Sequence, residues 1–141
     1  MSSLARPAPV DLAVDSSALL AILLDEPGRS AIEGALASAG GAVMTASNLL
    51  EASMVALGRV GTDAIDALDD VVIASGIVCM PVDQPLIRLA RTAFERFGKG
   101  RHPAALNFGD CFSYALAQHF DVPLLCTGDD FARTDLVVLP G

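Results

Sequence analysis

The chain has 141 residues, of which 52% are apolar and 18% charged, and its net charge is −8. The high apolar content excludes an intrinsically disordered chain. Three cysteines, an odd number without a CxxC pair, exclude a disulfide-stapled mini-domain.

Short apolar strands alternate with helices along the chain. The pattern predicts, in chain order, a strand at 11–14, helices at 16–24 and 29–38, a strand at 42–45, helices at 48–60 and from 63 onward, a strand at 77–82, helices at 83–97 and 104–120, and strands at 122–126 and 136–139. A basic loop, residues 98–103, separates the last two helices. This alternation predicts an α/β domain with a mostly parallel sheet.

The ends of the chain and its charge give further expectations. Residues 1–9 lack the apolar core of a secretory signal, and we interpret them as a flexible N-terminal lead-in to one domain over residues 10–141. The longest charge-free stretch, residues 34–50, is broken by glycines, serines and threonines, so we expect no membrane span. Unpaired cysteines are typical of a cytoplasmic protein.

An acidic chain has no general attraction for nucleic acid, but five of the nine basic residues lie within residues 88–101.

Acidic residues follow the predicted strands or lie in the helices after them. Asp15 follows the first strand, Glu51 lies in the first turn of the helix after the second, and Asp110 lies in the first half of the helix at 104–120. Asp129 and Asp130 follow the fourth strand. Ligands of parallel sheets bind at the carboxyl ends of the strands, so we expect these acids to gather there. Gathered carboxylates repel one another, and Mg²⁺ and Mn²⁺ prefer oxygen ligands, so the pattern indicates a divalent-metal site.

Most of these acids also have a structural interpretation. Asp15 fits the N-cap of its helix, and Glu51 fits a capping box begun by Asn48. Asp129 and Asp130 fit a turn after the preceding glycine. These interpretations stay open beside the metal site.

Asp110 has the weakest structural interpretation. It stands between Phe108 and Phe112 in an apolar helix, where Asp has a poor propensity and is unfavourable unless paired or metal-bound. Asn107 and Tyr114 share its helix face, at spacings of i, i+3 and i+7. The surroundings therefore favour a functional role for this carboxylate.

Motifs of other chemistries do not occur in the sequence, which contains no GxGxxG, GxxxxGK[ST], HExxH or GxSxG. Cys111, next to Asp110, is interpreted as a packed thiol. Met44, Met54 and Met80 are interpreted as core residues.

Four segments of the chain carry a family resemblance. They are VDSSALLAILLDEP, TASNLLEAS, KGRHPAALNFGDCFSYALA and PLLCTGDDFARTDL, and they cover the chain from Val10 onward. In this order they resemble the PIN-domain ribonucleases, and look most like the toxins of VapBC type II toxin–antitoxin systems. The third segment is the most specific. The resemblance implies a three-layer α/β/α fold around a mostly parallel sheet, bound Mg²⁺ or Mn²⁺, and hydrolysis of RNA phosphodiester bonds.

The resemblance also implies the residues of the site. It assigns catalytic and metal-binding roles to Asp15, Glu51, Asp110, and Asp129 or Asp130. The fourth position is ambiguous because both aspartates lie in the TGDDF loop, and Asp135 is a more distant candidate. Lys99 and Arg101 of the basic loop would hold RNA phosphates against the acidic site, unless they are only a solvated surface.

Partners follow from the apolar excess and the resemblance together. We expect a homodimer and a VapB-type antitoxin, with an antitoxin segment lying in a groove between helices. The candidate walls are Leu19, Leu20, Leu23 and Leu24, unless these leucines are core. An antitoxin Arg or Lys reaching the acids would compete with the metal ion.

Three alternatives remain beside the toxin. A PIN nuclease that is not a toxin would share the site. A receiver-like regulatory module would need a lysine late in the sheet, but Lys99, in a loop, is the chain's one lysine. A haloacid-dehalogenase-type phosphatase would need an aspartate where Ser17 stands, two residues after Asp15.

Overall fold

Strands and helices alternate along residues 9–140, the part of the chain that this computed structural model describes. The elements are β1 (Leu12–Val14), α1 (Ser16–Leu23), α2 (Arg29–Ser38), β2 (Ala42–Thr45), α3 (Ala46–Arg59), α4 (Asp63–Ala74), β3 (Ile77–Met80), α5 (Gln84–Phe97), α6 (Phe108–Phe120), β4 (Leu124–Leu125), a short 3-10 helix (Phe131–Arg133) and β5 (Val138–Leu139). The predicted lead-in, residues 1–9, lies outside the described residues except for Pro9. Within residues 9–140, no helix is both long and apolar enough to cross a membrane.

The strands form one sheet in the order β3-β2-β1-β4-β5, and every neighbouring pair is parallel. Ala13 of β1 is paired with Val43 of β2 and with Leu124 of β4. The sheet therefore grows from β1 in one direction through β2 and β3, and in the other through β4 and β5. Where the strand order reverses in this way, the carboxyl ends of the two central strands form a crevice that binds ligands. Here those strands are β1 and β4.

Helices cover both faces of the sheet. Ala13 of β1 belongs to one core cluster with residues of α5 and α6. Its neighbours Leu12 and Val14 belong to a second cluster with residues of α1, α2 and α4, because successive side chains of a strand point to opposite faces. The predicted α/β class and the three-layer α/β/α arrangement are confirmed.

Helix α6 begins at Phe108, and the prediction that it begins at residue 104 is wrong. Ala105 has φ 53°, which is incompatible with a right-handed helix. The Leu106 N–H donates to the Phe97 carbonyl oxygen at 2.9 Å, so this stretch extends the basic loop. Asn107 then caps the helix.

Helix α3 begins at Ala46, two residues before the predicted start. Thr45 is its N-cap, and the side-chain oxygen of Thr45 accepts from the Asn48 N–H at 3.0 Å. The predicted capping box of Asn48 and Glu51 is therefore wrong. Glu51 lies in the second turn of α3, so its carboxylate does not cap the helix.

The core contains most of the predicted residues. Met44, Met80 and Cys111 are buried, as expected, but Met54 is 63% exposed, so its assignment to the core is wrong. It lies on the side of α3 that faces away from the second core cluster, where Ala52 packs.

Of the four leucines proposed as walls of an antitoxin groove, one is core and three are half-buried. Leu19 is fully buried, and Leu20 and Leu23 pack against the same cluster. Leu24 is half-buried. Leu19 is therefore core, and a groove walled in part by Leu20, Leu23 and Leu24 stays a prediction.

Candidate active site

Asp15 lies at the carboxyl end of β1 and caps α1. Its Oδ2 accepts from the Ser17 N–H at 3.1 Å, and its Oδ1 accepts from the Ser113 hydroxyl of α6 at 2.5 Å. The residue is 4% exposed. The predicted cap is confirmed, and it leaves the carboxylate fixed by donors from two different helices.

Glu51 extends from α3 toward the same crevice. Its Oε1 accepts from the Ser16 hydroxyl at 2.5 Å and from Asn48 Nδ2 at 3.5 Å. Since Ser16 adjoins Asp15, this contact joins the second acid to the first. The carboxylate also lies against Gly109 of α6, where a Cβ would be only 2.7 Å from Glu51 Cδ. Glycine is therefore the residue that allows this approach.

Asp110 lies in the first turn of α6 and closes a capping box with Asn107. Its N–H donates to Asn107 Oδ1 at 2.9 Å, and its Oδ2 accepts from the Asn107 N–H at 3.1 Å. The sequence favoured a functional role for this aspartate, and the structure adds a structural role as a cap, because the helix begins later than predicted. The capping box holds one carboxylate oxygen in place.

Electrostatics show that the acids influence one another. Burial, the largest cause, and the negative charges of Asp15, Glu51 and Asp130 together raise the pKa of Asp110 to about 6, against the lowering effect of the Asn107 N–H. Burial, and then the charges of Asp15 and Asp110, raise the pKa of the Cys126 thiol at the end of β4 to about 12. The carboxylates are thus close enough to repel one another.

Asp129 and Asp130 lie in the exposed loop after β4. The Thr127 N–H donates to the Ser17 hydroxyl at 3.0 Å, which holds this loop beside α1. Of the two aspartates, only Asp130 contributes to the raised pKa of Asp110. This difference favours Asp130 as the fourth acid.

Asp135 has partners of its own. It accepts hydrogen bonds from the Tyr114 hydroxyl at 2.5 Å and from Arg96 at 3.2 Å. The bond from Tyr114, followed by the effect of Arg96, lowers its pKa. Its charge is not among those that act on Asp110. We therefore interpret Asp135 as part of a structural network between α5 and α6.

The acids do not form a closed metal site as they stand. Within residues 9–140, no three His, Cys, Asp or Glu side chains are already arranged to hold a metal ion. The donor chemistry nevertheless fits a hard cation, because carboxylate and hydroxyl oxygens surround the crevice. Carboxylates that repel one another without a cation are expected to converge when one binds.

Lys99 and Arg101 are exposed on the loop between α5 and α6. The backbone of the loop is fixed, since the Lys99 N–H donates to the Leu106 carbonyl oxygen at 2.9 Å. The Arg101 guanidinium lies 5.6 Å from the centre of the Phe94 ring. Neither cation is among the charges that act on the pKa of Asp110.

Five residues of the site were missed by sequence reasoning: the polar residues Ser16, Ser17, Asn48 and Ser113, and Gly109. Each lies within three residues of a predicted acid, and that spacing is the one signal the sequence offered. Their contacts cross between elements that are distant in sequence, as in the Ser113–Asp15 bond. A local pattern cannot specify such contacts.

Comparison with known proteins gives concordant results. A family model described as PIN domain matches residues 12–136. A ribonuclease VapC from Mycolicibacterium smegmatis is 41% identical over 128 residues, covering 91% of this chain and 99% of that protein. The structure of VapC20 from Mycobacterium tuberculosis, described as a Sarcin-Ricin loop cleaving toxin, has a TM-score of 0.74 at 18% identity and covers 90% of this chain and 97% of that one. VapBC-1 from nontypeable Haemophilus influenzae has a TM-score of 0.67 at 15% identity, with coverages of 92% and 96%.

The chain therefore belongs to the PIN-domain family of nucleases. Within that family it is a ribonuclease of the VapC kind, the toxin enzyme of a type II toxin–antitoxin system. Family membership excludes the receiver-like module and the haloacid-dehalogenase-type phosphatase. VapC ribonucleases of this family generally depend on a divalent metal ion.

Proposed function

We propose that this chain hydrolyses RNA phosphodiester bonds at the cluster of Asp15, Glu51, Asp110 and Asp130, which we call the acid cluster. The observation that carries the proposal is the convergence of the elements that carry Asp15, Glu51 and Asp110 on one crevice: Ser113 of α6 donates to Asp15, and Ser16, which adjoins Asp15, donates to Glu51 of α3. Like charges held together are unfavourable unless a cation neutralises them. The cluster lies at the strand reversal between β1 and β4, where a ligand of a parallel sheet is expected.

The cation that fits these donors is Mg²⁺ or Mn²⁺. Asp15 and Asp110 would be its main ligands, and Glu51 with Asp130 or Asp129 would complete the set. When bound, such an ion polarises a phosphate oxygen and lowers the pKa of water.

The protein's own residues orient these groups and accept the proton of the reaction. Ser17 and Ser113 hold the two oxygens of Asp15, and Ser16 holds one oxygen of Glu51. One carboxylate of the cluster accepts the proton that the attacking water loses. With a pKa of about 6, Asp110 is mainly ionised at pH 7, so it is available as a ligand or a proton acceptor.

The fourth acid can be identified with a matched pair of variants. We expect Asp130→Asn to slow RNA cleavage about tenfold or more, since outlying groups of a metal site typically contribute 10–100-fold. Asp129→Asn, one residue away and equally neutral, is the control and should cleave at the wild-type rate. The measurement is the initial rate of cleavage of one labelled RNA at fixed Mg²⁺. A slow Asp129→Asn beside a normal Asp130→Asn would reverse the assignment.

We also propose that Lys99 and Arg101 hold RNA phosphates. Both cations are exposed and lie on the loop that leads into the first turn of α6, which carries Asp110. A net charge of −8 makes local phosphate contacts necessary if RNA is to approach the acid cluster.

The double variant Lys99→Ala/Arg101→Ala is expected to bind RNA more weakly and with less dependence on salt. Two lost contacts to a single strand should reduce the slope of log K against log salt concentration by about 1.4. Binding is measured in EDTA so that the RNA stays intact. The control, Arg29→Ala/Arg59→Ala, removes the same charge from α2 and α3. An unchanged slope in the loop variant, or an equal change in the control, contradicts the role of the loop.

A VapB-type antitoxin is the proposed protein partner. The structural neighbour VapBC-1, whose name joins the two components, supports such a partner. An antitoxin Arg or Lys that reaches the acid cluster would compete with the metal ion, because both bind the same carboxylates. Inhibition of cleavage would follow from that competition.

A homodimer is proposed from exposed apolar side chains on α3 and at the start of α6. They are Leu50, Met54, Leu57 and Phe108. Leu50, Met54 and Phe108 line one cavity of about 530 Å³, and the three α3 residues share one helix face. Exposed apolar patches of this kind mark interaction surfaces.

Met54→Glu is expected to convert the dimer to a monomer, because it places a charge in the apolar surface. Ile73→Glu is the control, since Ile73 is also a strongly exposed apolar residue, on α4. Sedimentation velocity should give a dimer for the wild type and for Ile73→Glu, and a monomer for Met54→Glu. A monomeric wild type, or a dimeric Met54→Glu, contradicts the proposed surface.

The free thiols and the ribonuclease activity bear on where the protein works. We place the protein in the cytoplasm, where its RNA substrate is found and where thiols stay reduced. Cys79, Cys111 and Cys126 are all free. We assign residues 10–141 to a single PIN domain.

A further inference from the structure

Asn48 is a buried amide to which the proposed chemistry assigns no role. The residue is 0% exposed, in the first turn of α3. Its Oδ1 accepts from the Thr45 hydroxyl at 2.5 Å, and its Nδ2 donates to the Gly109 carbonyl oxygen at 3.0 Å. Thr45 already caps the helix, so the bond to Gly109 is not required to begin α3.

The bond to Gly109 joins the start of α3 to the start of α6. Gly109 immediately precedes Asp110, and its backbone lies against the Glu51 carboxylate. Asn48 Nδ2 also lies 3.5 Å from Glu51 Oε1. One amide group therefore contacts both the second acid and the backbone that carries the third.

The acids on these two helices repel one another. Glu51 and Asp110 are both carboxylates near the starts of these helices, and the backbone just before Asp110 lies against the Glu51 carboxylate, so without a cation the repulsion between like charges tends to separate the starts of α3 and α6. The Asn48 amide is a neutral donor, and its complete burial shields its bonds from water. Its contacts oppose the separation.

We infer that Asn48 is a positioning residue that sets the separation between the Glu51 and Asp110 carboxylates, so that both can bind the same divalent cation. The inference rests on the proposed function. Groups that orient metal ligands typically change metal affinity by 10–100-fold. The effect should therefore be visible in metal binding without RNA.

Asn48→Ala removes both Nδ2 contacts. We expect the affinity of the RNA-free protein for Mn²⁺, measured by electron paramagnetic resonance titration, to fall about tenfold or more. The kcat for RNA at limiting Mn²⁺ should fall, and the KM for RNA should stay unchanged. Ser53→Ala is the control on the same helix, because within residues 9–140 the Ser53 hydroxyl bonds only to the Leu49 carbonyl oxygen. It should keep wild-type affinity.

Asn48→Leu provides a second variant, in case Asn48→Ala does not fold by circular dichroism. Leu fills a similar buried volume but cannot donate to the Gly109 carbonyl oxygen or contact Glu51 Oε1 as a donor, so Mn²⁺ affinity should fall in the same way. If the wild type neither binds Mn²⁺ nor cleaves RNA, the proposed function fails. If the wild type does both, and whichever of the two variants folds binds Mn²⁺ like the wild type, the role of Asn48 is overturned while the function stands.

Discussion

Asp110→Asn is expected to abolish RNA cleavage, lowering the rate by about a thousandfold or more, while the fold is retained. The substitution removes a charge from the acid cluster, and the loss of a metal ligand or proton acceptor has effects of this size. Asn keeps a side-chain oxygen at the same place, so it can still accept from the Asn107 N–H and preserve the capping box. Loss of activity would therefore not reflect loss of α6.

The same substitution should stabilise the metal-free protein at neutral pH. The folded-state pKa of Asp110, about 6, lies above the usual value of 3.8, so between these values the folded state holds more protons than the unfolded state. The free energy of unfolding falls as pH rises through this window and stays lower above it. Asp110→Asn should raise Tm by a few degrees at pH 7 and leave Tm unchanged at pH 3.5. Thermal unfolding in EDTA at both pH values measures this difference.

Expression of the wild-type chain without an antitoxin is expected to arrest the growth of its host. We expect cleavage of cellular RNA to stop protein synthesis, and the proposed antitoxin to prevent it by competing with the metal ion at the acid cluster. Coexpression with the antitoxin from the neighbouring small open reading frame should restore growth almost completely. Viable counts after induction measure both effects.

The control for the growth experiment is Asp110→Asn, expressed to the same level. It should be harmless, which separates toxicity caused by cleavage from the burden of expression. Harmless expression of a wild-type protein that cleaves RNA in vitro would instead indicate a PIN nuclease that is not a toxin. Growth arrest by Asp110→Asn would show that toxicity does not need the acid cluster.

The parallel sheet and the closeness of Asp15, Glu51 and Asp110 to one another could be predicted from the sequence. Asp15 was identifiable because it ends an apolar strand and begins a helix, and parallel strands bring such positions to one edge. The parallel sheet with helices on both faces is confirmed by the strand order. The roles of the individual acids stay a prediction.

Boundaries and long-range contacts could not be predicted from local patterns. Residues 104–107 fit a helical pattern, but Ala105 adopts a left-handed conformation because the loop is bonded back to the end of α5. The bond from Asn48 to Gly109 spans 61 positions, and no spacing rule connects the two residues. Met54 fitted the core by composition, yet it is exposed because α3 packs only one side against the sheet.

The most direct measurement is cleavage of a labelled RNA by the wild type and by Asp110→Asn, each in Mg²⁺, in excess EDTA, and in EDTA followed by restored Mg²⁺ or Mn²⁺. We expect the wild type to cleave in Mg²⁺, to stop in EDTA, and to recover when the ion is restored. Asp110→Asn should remain inactive under all conditions. Undiminished cleavage by the wild type in excess EDTA, or by Asp110→Asn in Mg²⁺, would contradict a metal-dependent reaction at the acid cluster.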